Sequence, residues 1–447
     1  MAGGKRRIID GRFVRRRRYR ASAAVPIRLP SRGCKRSTND RRRHVRLDVA
    51  RPIPNAGDAS APPIRRYRTR YEDALFEDVL PFWETHSPDD EHDGPFNNLD
   101  RDGAVYDSTK HAWMLGRQAW TFATLYRDFE ERPAWLDLAR SGLAFLQEHA
   151  VRPDGRVFYS LTADGRPIYQ QRKIFSECFY TMALAAYARA AGEPERLREA
   201  EDELEHIWNG AFGSEEARRP THEGQPDVQS LAVPMIFLNL IEEVAGPDDW
   251  QRYRREVRTC IARLQRHVHE ETQTVRETVR PDGTLADGPD GRLLNPGHAL
   301  EAGWFLRHWA ERLDDDDLAA TADDMARWAF ADGWDEEHGG LFYFLDAEGF
   351  SPVQLEWHMK LWWPHCEALY AHLLRYARTG ETEAWDAFEK THRYTFAHFP
   401  DDEHGEWFGY LNRRGEVTHR FKGGPYKGCF HVPRTLWRCW RLLQELE

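Results

Sequence analysis

Four segments of the chain repeat one design, and this repeat constrains the fold more than any other feature of the sequence. Each segment has an aromatic residue four places after its first residue, and each ends in a polar turn that closes on glycine. Short aromatic strands reversed by such a turn are typical of β-hairpins. The four segments are residues 92–103, 154–165, 338–349 and 404–415.

The spacing of these segments predicts six repeat units. The first two start 62 residues apart and the last two start 66 residues apart. The gap of 184 residues between the second and the third is about three such periods. Two weaker hairpins are therefore expected near residues 216 and 278, where 213–224 and 277–288 have a similar glycine-bounded pattern.

The stretches between hairpins are long enough for two helices each. Residues 110–130 are followed by a second helical pattern at 135–149, and residues 176–191 by one that begins at Pro194, a residue favoured in a first helical turn. Residues 176–191 are apolar nearly all round, as expected for a helix between an outer ring and a central cleft. We therefore predict an all-α (α/α)6 barrel of six helix pairs, with short β-hairpins at one end. An open-ended solenoid is the alternative.

The distribution of charge separates an N-terminal extension from the rest of the chain. Residues 1–66 contain 20 Lys and Arg against 4 Asp and Glu, whereas residues 67–447 contain 43 against 69. The extension also has few core-forming residues, a composition typical of disorder. We expect a dispensable extension at 1–66 and a single barrel domain at 67–447 with no affinity for nucleic acid. Binding of the basic extension to nucleic acid or to an anionic membrane surface is the alternative.

Apolar runs and cysteines indicate the compartment. The longest apolar runs, such as residues 231–241, are far shorter than the roughly 20 residues that span a bilayer. The basic extension lacks the apolar region of a secretory signal. Six cysteines occur without CxxC pairs or framework spacing, which favours reduced thiols over disulfides or zinc. These features predict a cytoplasmic protein.

Two aromatic stretches are expected to line a cleft at the hairpin end of such a barrel. Trp113 and Arg117 lie at i and i+4 on one helix face. An arginine in this setting makes either a rim salt bridge or a clamp for an anion or hydroxyl, beside aromatic rings that stack on a sugar. Pro364 suits a first helical turn and puts Trp362 and Trp363 just before it. Paired tryptophans usually belong to a core, but a helix mouth also suits a ligand platform.

Two further stretches place histidines where a loop meets a helix. In NPGHALEAGW a Pro-Gly pair precedes His298, and Glu301 follows one turn later. In KGGPYKGCFHVPR glycines precede His431, but Cys429 stands where a phosphate-binding loop needs lysine. Neither HExxH nor a carboxylate-rich cluster accompanies them, so no metal is expected. Each histidine is either structural or a proton-transfer group, a task that suits a side chain with a pKa near 6.5.

Several separated stretches carry a family resemblance. Among them are YDSTKHAWMLGRQAW (106–120), QRKIFSECFYTMA (171–183), NPGHALEAGWF (295–305), GWDEEHGGLFYF (333–344), QLEWHMKLWWPH (354–365) and FKGGPYKGCFHVPR (421–434). Through them, the chain from about Tyr71 to its C-terminus resembles the N-acylglucosamine 2-epimerase family. The resemblance implies the same (α/α)6 barrel and the interconversion of N-acetylglucosamine with N-acetylmannosamine.

The resemblance also implies roles for individual residues. Histidines matching His298 and His431 act as acid and base in the family. Arg117 is expected to stabilise charge on the sugar O1, and Glu301 to orient His298 or to hold a sugar hydroxyl. Cellobiose 2-epimerases carry a further histidine on an inner helix, and residues 232–240 have none, which favours the N-acyl sugar branch. The expected substrate-binding residues are Arg117, Glu301, Trp113, Tyr180, Trp362 and Trp363.

The implied reaction opens the sugar ring, removes the C2 proton to give an enediolate, and returns a proton to the opposite face. No hydride moves and GxGxxG is absent, so no cofactor is expected. Some family members are activated by ATP, for which the sequence has no motif, and the family implies a homodimer. The alternatives on the same barrel are an aldose–ketose isomerase, a cellobiose-type epimerase, and a glycoside hydrolase that uses two carboxylates. A non-catalytic protein-binding role is a further alternative.

Overall fold

The computed structural model describes residues 63–213, 223–224, 226–247 and 249–447. In chain order its helices are α1 (Ile64–Asp73), α2 (Leu80–His86), α3 (Ala112–Asp128), α4 (Pro133–Phe145), α5 (Phe175–Ala191), α6 (Pro194–Phe212), α7 (Ala232–Ala245), α8 (Arg254–Gln265), α9 (Gly288–Arg292), α10 (Pro296–Leu313), α11 (Asp316–Gly333), α12 (Trp362–Thr379), α13 (Thr382–His398) and α14 (His431–Leu446). A π-helical turn (Ala74–Val79) joins α1 to α2, a second one (Leu146–Ala150) extends α4, and a 3₁₀ turn (Trp250–Tyr253) precedes α8.

Twelve short strands lie between the described helices. They are β1 (Lys110–His111), β2 (Ser160–Leu161), β3 (Pro167–Tyr169), β4 (Gln229–Ser230), β5 (Val268–His269), β6 (Thr274–Val275), β7 (Thr278–Val279), β8 (Leu293–Leu294), β9 (Leu345–Asp346), β10 (Lys360–Leu361), β11 (Tyr410–Leu411) and β12 (Val417–His419).

Burial sorts the long helices into an inner and an outer ring. In α5, 13 of the 17 residues are buried, whereas its outer neighbour α6 buries 3 of 19, because an inner helix contacts both the outer ring and the cleft. The inner helices contact one another in the order α3, α5, α7, α10, α12 and α14. The outer positions are held by α1 with α2, α4, α6, α8, α11 and α13. These six pairs confirm the predicted (α/α)6 barrel.

The ring closes between the last repeat and the first, so the fold is not an open-ended solenoid. Arg101, in the first hairpin, donates two hydrogen bonds to the carboxylate of Asp401 at 2.7 and 2.8 Å. Thr121 of α3 donates to the carbonyl oxygen of Cys429, just before α14, at 2.8 Å. Residues about 300 positions apart in sequence are thereby joined directly.

The predicted hairpin turns form where the repeat indicated. Gly103, Gly165, Gly349 and Gly415 have φ values between 79° and 85°, a region that glycine enters without steric cost. In each turn the glycine N–H donates to the carbonyl oxygen three residues earlier, at 2.9–3.1 Å. What recurs along the chain is therefore a turn closed by a glycine with positive φ and the same backbone hydrogen bond.

The two weaker hairpin predictions have different outcomes. In residues 277–288 the turn closes at Gly283, whose N–H donates to the carbonyl oxygen of Arg280 at 2.9 Å. Gly288 begins α9 instead, because Pro289 suits a first helical turn, so the turn lies earlier than predicted. The other weak hairpin, 213–224, lies largely outside the described residues.

Short strands fix where the inner helices begin. The strand that precedes α3, α7, α10 or α12 pairs antiparallel with a strand of a later hairpin. The four pairs are β1–β2, β4–β7, β8–β9 and β10–β11. The hairpins and the N-termini of these inner helices therefore gather at the same end of the barrel, the hairpin end.

Three buried lysine–aspartate pairs brace the hairpin end. In each pair the aspartate lies three residues before the first histidine of a hairpin segment, and the lysine lies shortly before an inner helix. The ammonium groups also donate to backbone carbonyls, so the buried charges are both paired and hydrogen-bonded. The pairs are Lys110–Asp89 at 2.7 Å, Lys360–Asp335 at 3.1 Å and Lys422–Asp401 at 2.9 Å.

The barrel begins earlier in the chain than predicted. Helix α1 starts at Ile64, within the segment assigned to the extension. The hydroxyl of Tyr67 donates to Glu389 of α13 at 2.8 Å, which ties α1 to the outer ring. The rest of the prediction for residues 1–66 lies outside the described residues.

The cysteines agree with the prediction of thiols. The five cysteines among the described residues are buried and form no disulfide, and Cys34 lies outside these residues. Burial raises the pKa of the Cys366 and Cys439 thiols well above the ordinary value. No helix in the described part of the chain is long and apolar enough to cross a membrane.

Candidate active site

The two predicted histidines lie in the first turns of inner helices at the hairpin end of the barrel. His298 is the third residue of α10, and His431 is the first residue of α14. Asn295 caps α10 by accepting a hydrogen bond from the His298 backbone N–H at 3.2 Å. The Trp363 ring, at the start of α12, lies 5.3 Å from the His298 ring and 5.8 Å from the His431 ring. The structure thus brings both histidines to one aromatic side chain.

His298 is held by a carboxylate. Its Nδ1 lies 2.9 Å from Oε2 of Glu277, and because a carboxylate only accepts, Nδ1 carries the hydrogen and Nε2 is left for other contacts. Burial lowers the pKa of His298, but the charge and hydrogen bond of Glu277, with a contribution from Glu301, outweigh burial. The net effect raises the pKa above 6.5, which favours the imidazolium.

His431 is also held by a carboxylate but favours its neutral form. Its Nδ1 lies 2.7 Å from Oε1 of Glu367, which again leaves Nε2 free of that bond. Burial lowers the pKa of His431 well below 6.5, and the positive charges of Arg434 and Arg117 lower it further. The structure therefore pairs a histidine that favours its charged form with one that favours its neutral form.

Arg434 holds two buried carboxylates beneath His431. One guanidinium nitrogen lies 2.6 Å from Oε1 of Glu301 and 2.7 Å from Oε1 of Glu367. The indole N–H of Trp304 donates to the other oxygen of Glu367 at 2.8 Å. Glu301, Glu367 and His431 offer ligand atoms within 4.8 Å of one another, the spacing of a possible metal cluster. Arg434 already supplies the positive charge there, so the carboxylate oxygens of Glu301 and Glu367 are engaged in an ion-pair network.

Another residue fills one of the two roles predicted for Glu301, the orientation of His298. Its carboxylate binds Arg434, and the residue that orients His298 is Glu277. The geometry explains the difference: His298 and Glu301 share a helix, but the imidazole leans toward the loop between β6 and β7, where Glu277 lies. The role of Glu301 as a ligand of a sugar hydroxyl stays a prediction.

Arg117 has an unused hydrogen-bond donor in an aromatic cage. Its guanidinium lies 4.1 Å from the Phe179 ring centroid, 4.6 Å from that of Trp113 and 5.1 Å from that of Phe430. Burial lowers its pKa to about 9. Its buried Nε has no hydrogen-bond partner among the residues that the structure describes. A buried donor without a partner is costly, and an anionic or polar oxygen of a ligand would satisfy it.

The predicted aromatic residues separate into cleft and core. Trp113 and Trp363 surround the charged groups described above. Trp362 is 2% exposed and packs on Tyr410 with ring centroids 5.2 Å apart, and its ring also lies 6.5 Å from that of His431, so it lies between the core and the histidine. Both tryptophans lie inside α12, whose first residue is Trp362, so they follow the helix start and do not precede it as predicted.

Tyr180 does not face the cleft as predicted. Its hydroxyl lies near Gln147, which extends α4, and near Glu203 and Glu199 of α6. Burial raises its pKa to about 12. Successive helix residues point about 100° apart, so when Phe179 faces Arg117, Tyr180 turns toward the outer ring.

Three charged residues of the site had no assigned role in the sequence-based site prediction: Glu277, Glu367 and Arg434. Arg434 lies three residues after His431 on α14, so helical spacing could have identified it. Glu367 lies in the same short stretch as the tryptophan pair. Glu277 has no local signal, because the backbone hydrogen bond from its N–H to the carbonyl oxygen of Leu293 brings it to α10.

The fold and the site define the chain as an (α/α)6-barrel protein with a buried histidine–carboxylate site. In overall fold it is similar to the cellobiose 2-epimerase of Bacillus thermoamylovorans B4167, with a TM-score of 0.74 and 20% identity over 85% of this chain and 100% of that one.

A sequence model of the N-acylglucosamine 2-epimerase (GlcNAc 2-epimerase) family matches residues 94–432. The curated N-acylglucosamine 2-epimerases of Bos taurus and Homo sapiens are both 45% identical to this chain, over 385 and 378 residues. These matches cover 82% of this chain and 89% and 88% of the two relatives. The chain therefore belongs to the N-acylglucosamine 2-epimerase family.

Proposed function

We propose that the protein interconverts N-acetyl-D-glucosamine and N-acetyl-D-mannosamine by moving the proton on C2. Relatives that bear the name N-acylglucosamine 2-epimerase are 45% identical over most of their length. The single structural observation that carries the proposal is the pair His298 and His431. Both imidazoles have Nδ1 fixed by a carboxylate, both contact Trp363, and their pKa values are shifted in opposite directions.

The first chemical step is removal of the C2 proton. Opening of the sugar ring exposes an aldehyde at C1, which acidifies the hydrogen on C2. Neutral His431 accepts this proton on Nε2, and the Glu367 carboxylate on Nδ1 stabilises the imidazolium that forms. Arg117 donates from its unused Nε to the developing negative charge on O1.

The second step returns a proton to the other face of C2. His298, charged through its contact with Glu277, donates from Nε2 to the planar enediolate. The nitrogen on C2 makes ketose formation unproductive, so the enediolate collapses to the epimer. The protonation states of the two histidines are now exchanged. They return to their starting states by exchange with solvent, and in the reverse reaction His298 is the base.

The proposal is tested by incubating the protein with N-acetylmannosamine in D₂O and following the sugar by NMR. N-acetylglucosamine is expected to form and to carry deuterium at C2, because the returned proton comes from a histidine in exchange with solvent. Product without deuterium at C2 would contradict proton abstraction. Parallel incubations with mannose, fructose and cellobiose test the aldose–ketose isomerase and the cellobiose-type epimerase, and absence of turnover on every sugar would favour the non-catalytic role.

The remaining expectations belong to the same proposal. The enzyme works in the cytoplasm on a free sugar, without a bound cofactor or metal, as a homodimer that the family resemblance implies. Turnover is expected to survive EDTA and gel filtration, and sedimentation tests the dimer. Removal of residues 1–62 is expected to leave turnover unchanged. Assays with and without ATP test activation by nucleotide.

A further inference from the structure

A second cavity, which we call the far-mouth cavity, opens at the opposite end of the barrel. Its volume is about 530 Å³, within the usual range for small-molecule sites. The C-terminal halves of the inner helices line it, so it is separate from His298, His431 and Arg117. The residues used below line it together with others: Trp120, Asp128, Glu242, Glu243, Trp437, Glu445 and the six arginines Arg127, Arg189, Arg312, Arg378, Arg438 and Arg441.

Four of the six arginines are explained by the helices that carry them. Arg127, Arg189, Arg312 and Arg378 lie in the last turns of α3, α5, α10 and α12. The carbonyl end of a helix carries partial negative charge, which a basic side chain offsets. Arg189 also donates to the carbonyl oxygen of Glu243 at 2.6 Å, near the carbonyl end of the neighbouring helix α7. These residues need no ligand to account for them.

The four carboxylates of the cavity already have partners. Glu242 accepts from Arg312 at 2.9 Å, and Glu243 accepts from the indole N–H of Trp120 at 2.9 Å. Asp128 pairs with Arg127 at 2.7 Å, and Glu445 lies 3.6 Å from Arg378. Six arginines against four carboxylates leave the wall with excess positive charge, in a chain whose residues 67–447 are strongly acidic.

Arg438 and Arg441 are not explained in this way. They lie one turn apart within α14, before its last turn, which has no basic residue. Arg438 lies 3.7 Å from a carboxylate oxygen of Glu243, and its buried Nε has no hydrogen-bond partner in the described part of the chain. Arg441 is exposed, lies 5.7 Å from the Trp437 ring centroid, and forms no ion pair with any residue that the structure describes.

Of the three buried polar groups in the cavity wall that lack a partner among the described residues, two are donors only, and the third, the hydroxyl of Thr124, can also donate. The donors are the indole N–H of Trp437 and Nε of Arg438, both buried and without a partner in residues 63–213, 223–224, 226–247 and 249–447. Guanidinium and indole N–H groups donate and do not accept. A ligand that satisfies them must therefore bring acceptors and negative charge, and two guanidinium groups on one helix face fit phosphate or carboxylate oxygens.

We propose that the far-mouth cavity binds a small polyanion that carries phosphate or carboxylate groups. Arg438, Arg441 and the indole N–H of Trp437 contact the anion. The four helix-end arginines contribute a positive field around it. The site is independent of the histidine site, so it does not depend on the proposed epimerase reaction.

The test is calorimetric titration of the full-length protein at low ionic strength with sodium tripolyphosphate, and separately with citrate. Binding of either is expected, with affinity that falls as salt is added. The Arg441→Glu variant reverses an exposed charge in the wall and is expected to weaken binding at least about tenfold, because it replaces an attraction by a repulsion. The matched control is Arg255→Glu, the same charge change on the exposed face of α8, which is expected to bind like the wild type.

A second variant tests the indole donor. Trp437→Phe removes the N–H and keeps an aromatic ring, and it is expected to weaken binding less than Arg441→Glu does. No heat of binding with either probe, or equal weakening by Arg441→Glu and Arg255→Glu, would overturn the proposal. Tripolyphosphate binding without citrate binding assigns the site to phosphates, and the reverse assigns it to carboxylates. Because the readout is binding, it separates failure of this site from failure of the epimerase proposal.

Discussion

The first turns of α10 and α14 carry histidines in similar settings, yet their neighbours shift the two pKa values in opposite directions. Each imidazole gives its Nδ1 hydrogen to a glutamate, at 2.9 Å for His298 and 2.7 Å for His431. Burial lowers both pKa values. The His431 side chain is the more deeply buried of the two, at 9% exposed against 27%. Arg434, which binds Glu367, and Arg117 also add positive charge beside His431, whereas Glu277 has no such cationic partner among the described residues. A carboxylate raises the pKa of a histidine only while its own charge is not already neutralised.

A third histidine, His365, also lies at the start of an inner helix but has no carboxylate on Nδ1 and no free Nε2. His365 lies in the first turn of α12, between the other two inner helices. Its Nδ1 lies 2.6 Å from the carbonyl oxygen of Leu361, and its Nε2 accepts the backbone N–H of Leu341 at 2.9 Å. Both ring nitrogens are used, and burial lowers its pKa to about 3. Position at a helix mouth is therefore not enough; a carboxylate on Nδ1 and a free Nε2 define the proposed acid–base pair.

The largest expected effect is loss of turnover when His298 or His431 is replaced, but not when His365 is replaced. Replacing either His298 or His431 by Asn is expected to lower kcat for epimerisation by about 10²–10⁴-fold, the usual contribution of a general acid or base. His365→Asn, with circular dichroism to confirm folding of all three variants, is the control and should retain turnover. Each of the first two variants should still exchange the C2 hydrogen of one epimer with D₂O without inverting it, since one base remains. Exchange of both epimers by the same variant would contradict a two-base mechanism.

Arg117 belongs to the His431 half of the site, and its removal should show this. The Arg117→Gln variant is expected to lose about 10²–10³-fold in kcat, the loss typical of one donor to a developing oxyanion. Arg117 also lowers the pKa of His431, so in the variant that pKa rises and the acidic limb of the rate profile moves to higher pH. Measurement of kcat between pH 4 and 9 checks both effects. A change in KM alone would instead assign Arg117 to ground-state binding.

The two carboxylates should give different pH signatures. In Glu277→Gln the raised pKa of His298 falls, so the imidazolium is lost at lower pH and the alkaline limb of kcat/KM moves down. In Glu367→Gln, His431 stays neutral, and the loss is expected to be of the order of tenfold at every pH, smaller than loss of a histidine. Rate profiles of the two variants, with Glu337→Gln on an exposed hairpin as the control, test this. Identical profiles for the two would remove the distinction between the histidines.

Much of this arrangement follows from local chemistry, and the rest depends on contacts between distant segments. The barrel was predictable because each repeat ends in a glycine whose positive φ closes a turn. The loop–helix junctions marked His298 and His431 as candidates, but their role as acid and base was an expectation from the family resemblance and not from the local pattern. Glu277 was not identified, since only strand pairing and a backbone contact bring it to α10. Tyr180 was assigned to the wrong face, because an apolar helix gives no local sign of which side meets the cleft.

The smallest effect on activity, and a measurable one on stability, is expected for His365→Asn. Asparagine cannot hold both backbone partners, and a buried unpaired N–H at Leu341 costs about 1–3 kcal/mol of the free energy of unfolding. Because the folded imidazole has a pKa of about 3 and stays neutral, the contribution of His365 to stability is complete above about pH 6.5 and falls toward pH 3 as the unfolded chain takes up the proton. The variant should lose less stability over this range. Urea unfolding midpoints from tryptophan fluorescence at pH 7 and pH 5 measure this loss of stability. The partly exposed His338→Asn is the control. An equal loss of stability between pH 7 and pH 5 in both variants would show that His365 is not the titrating group.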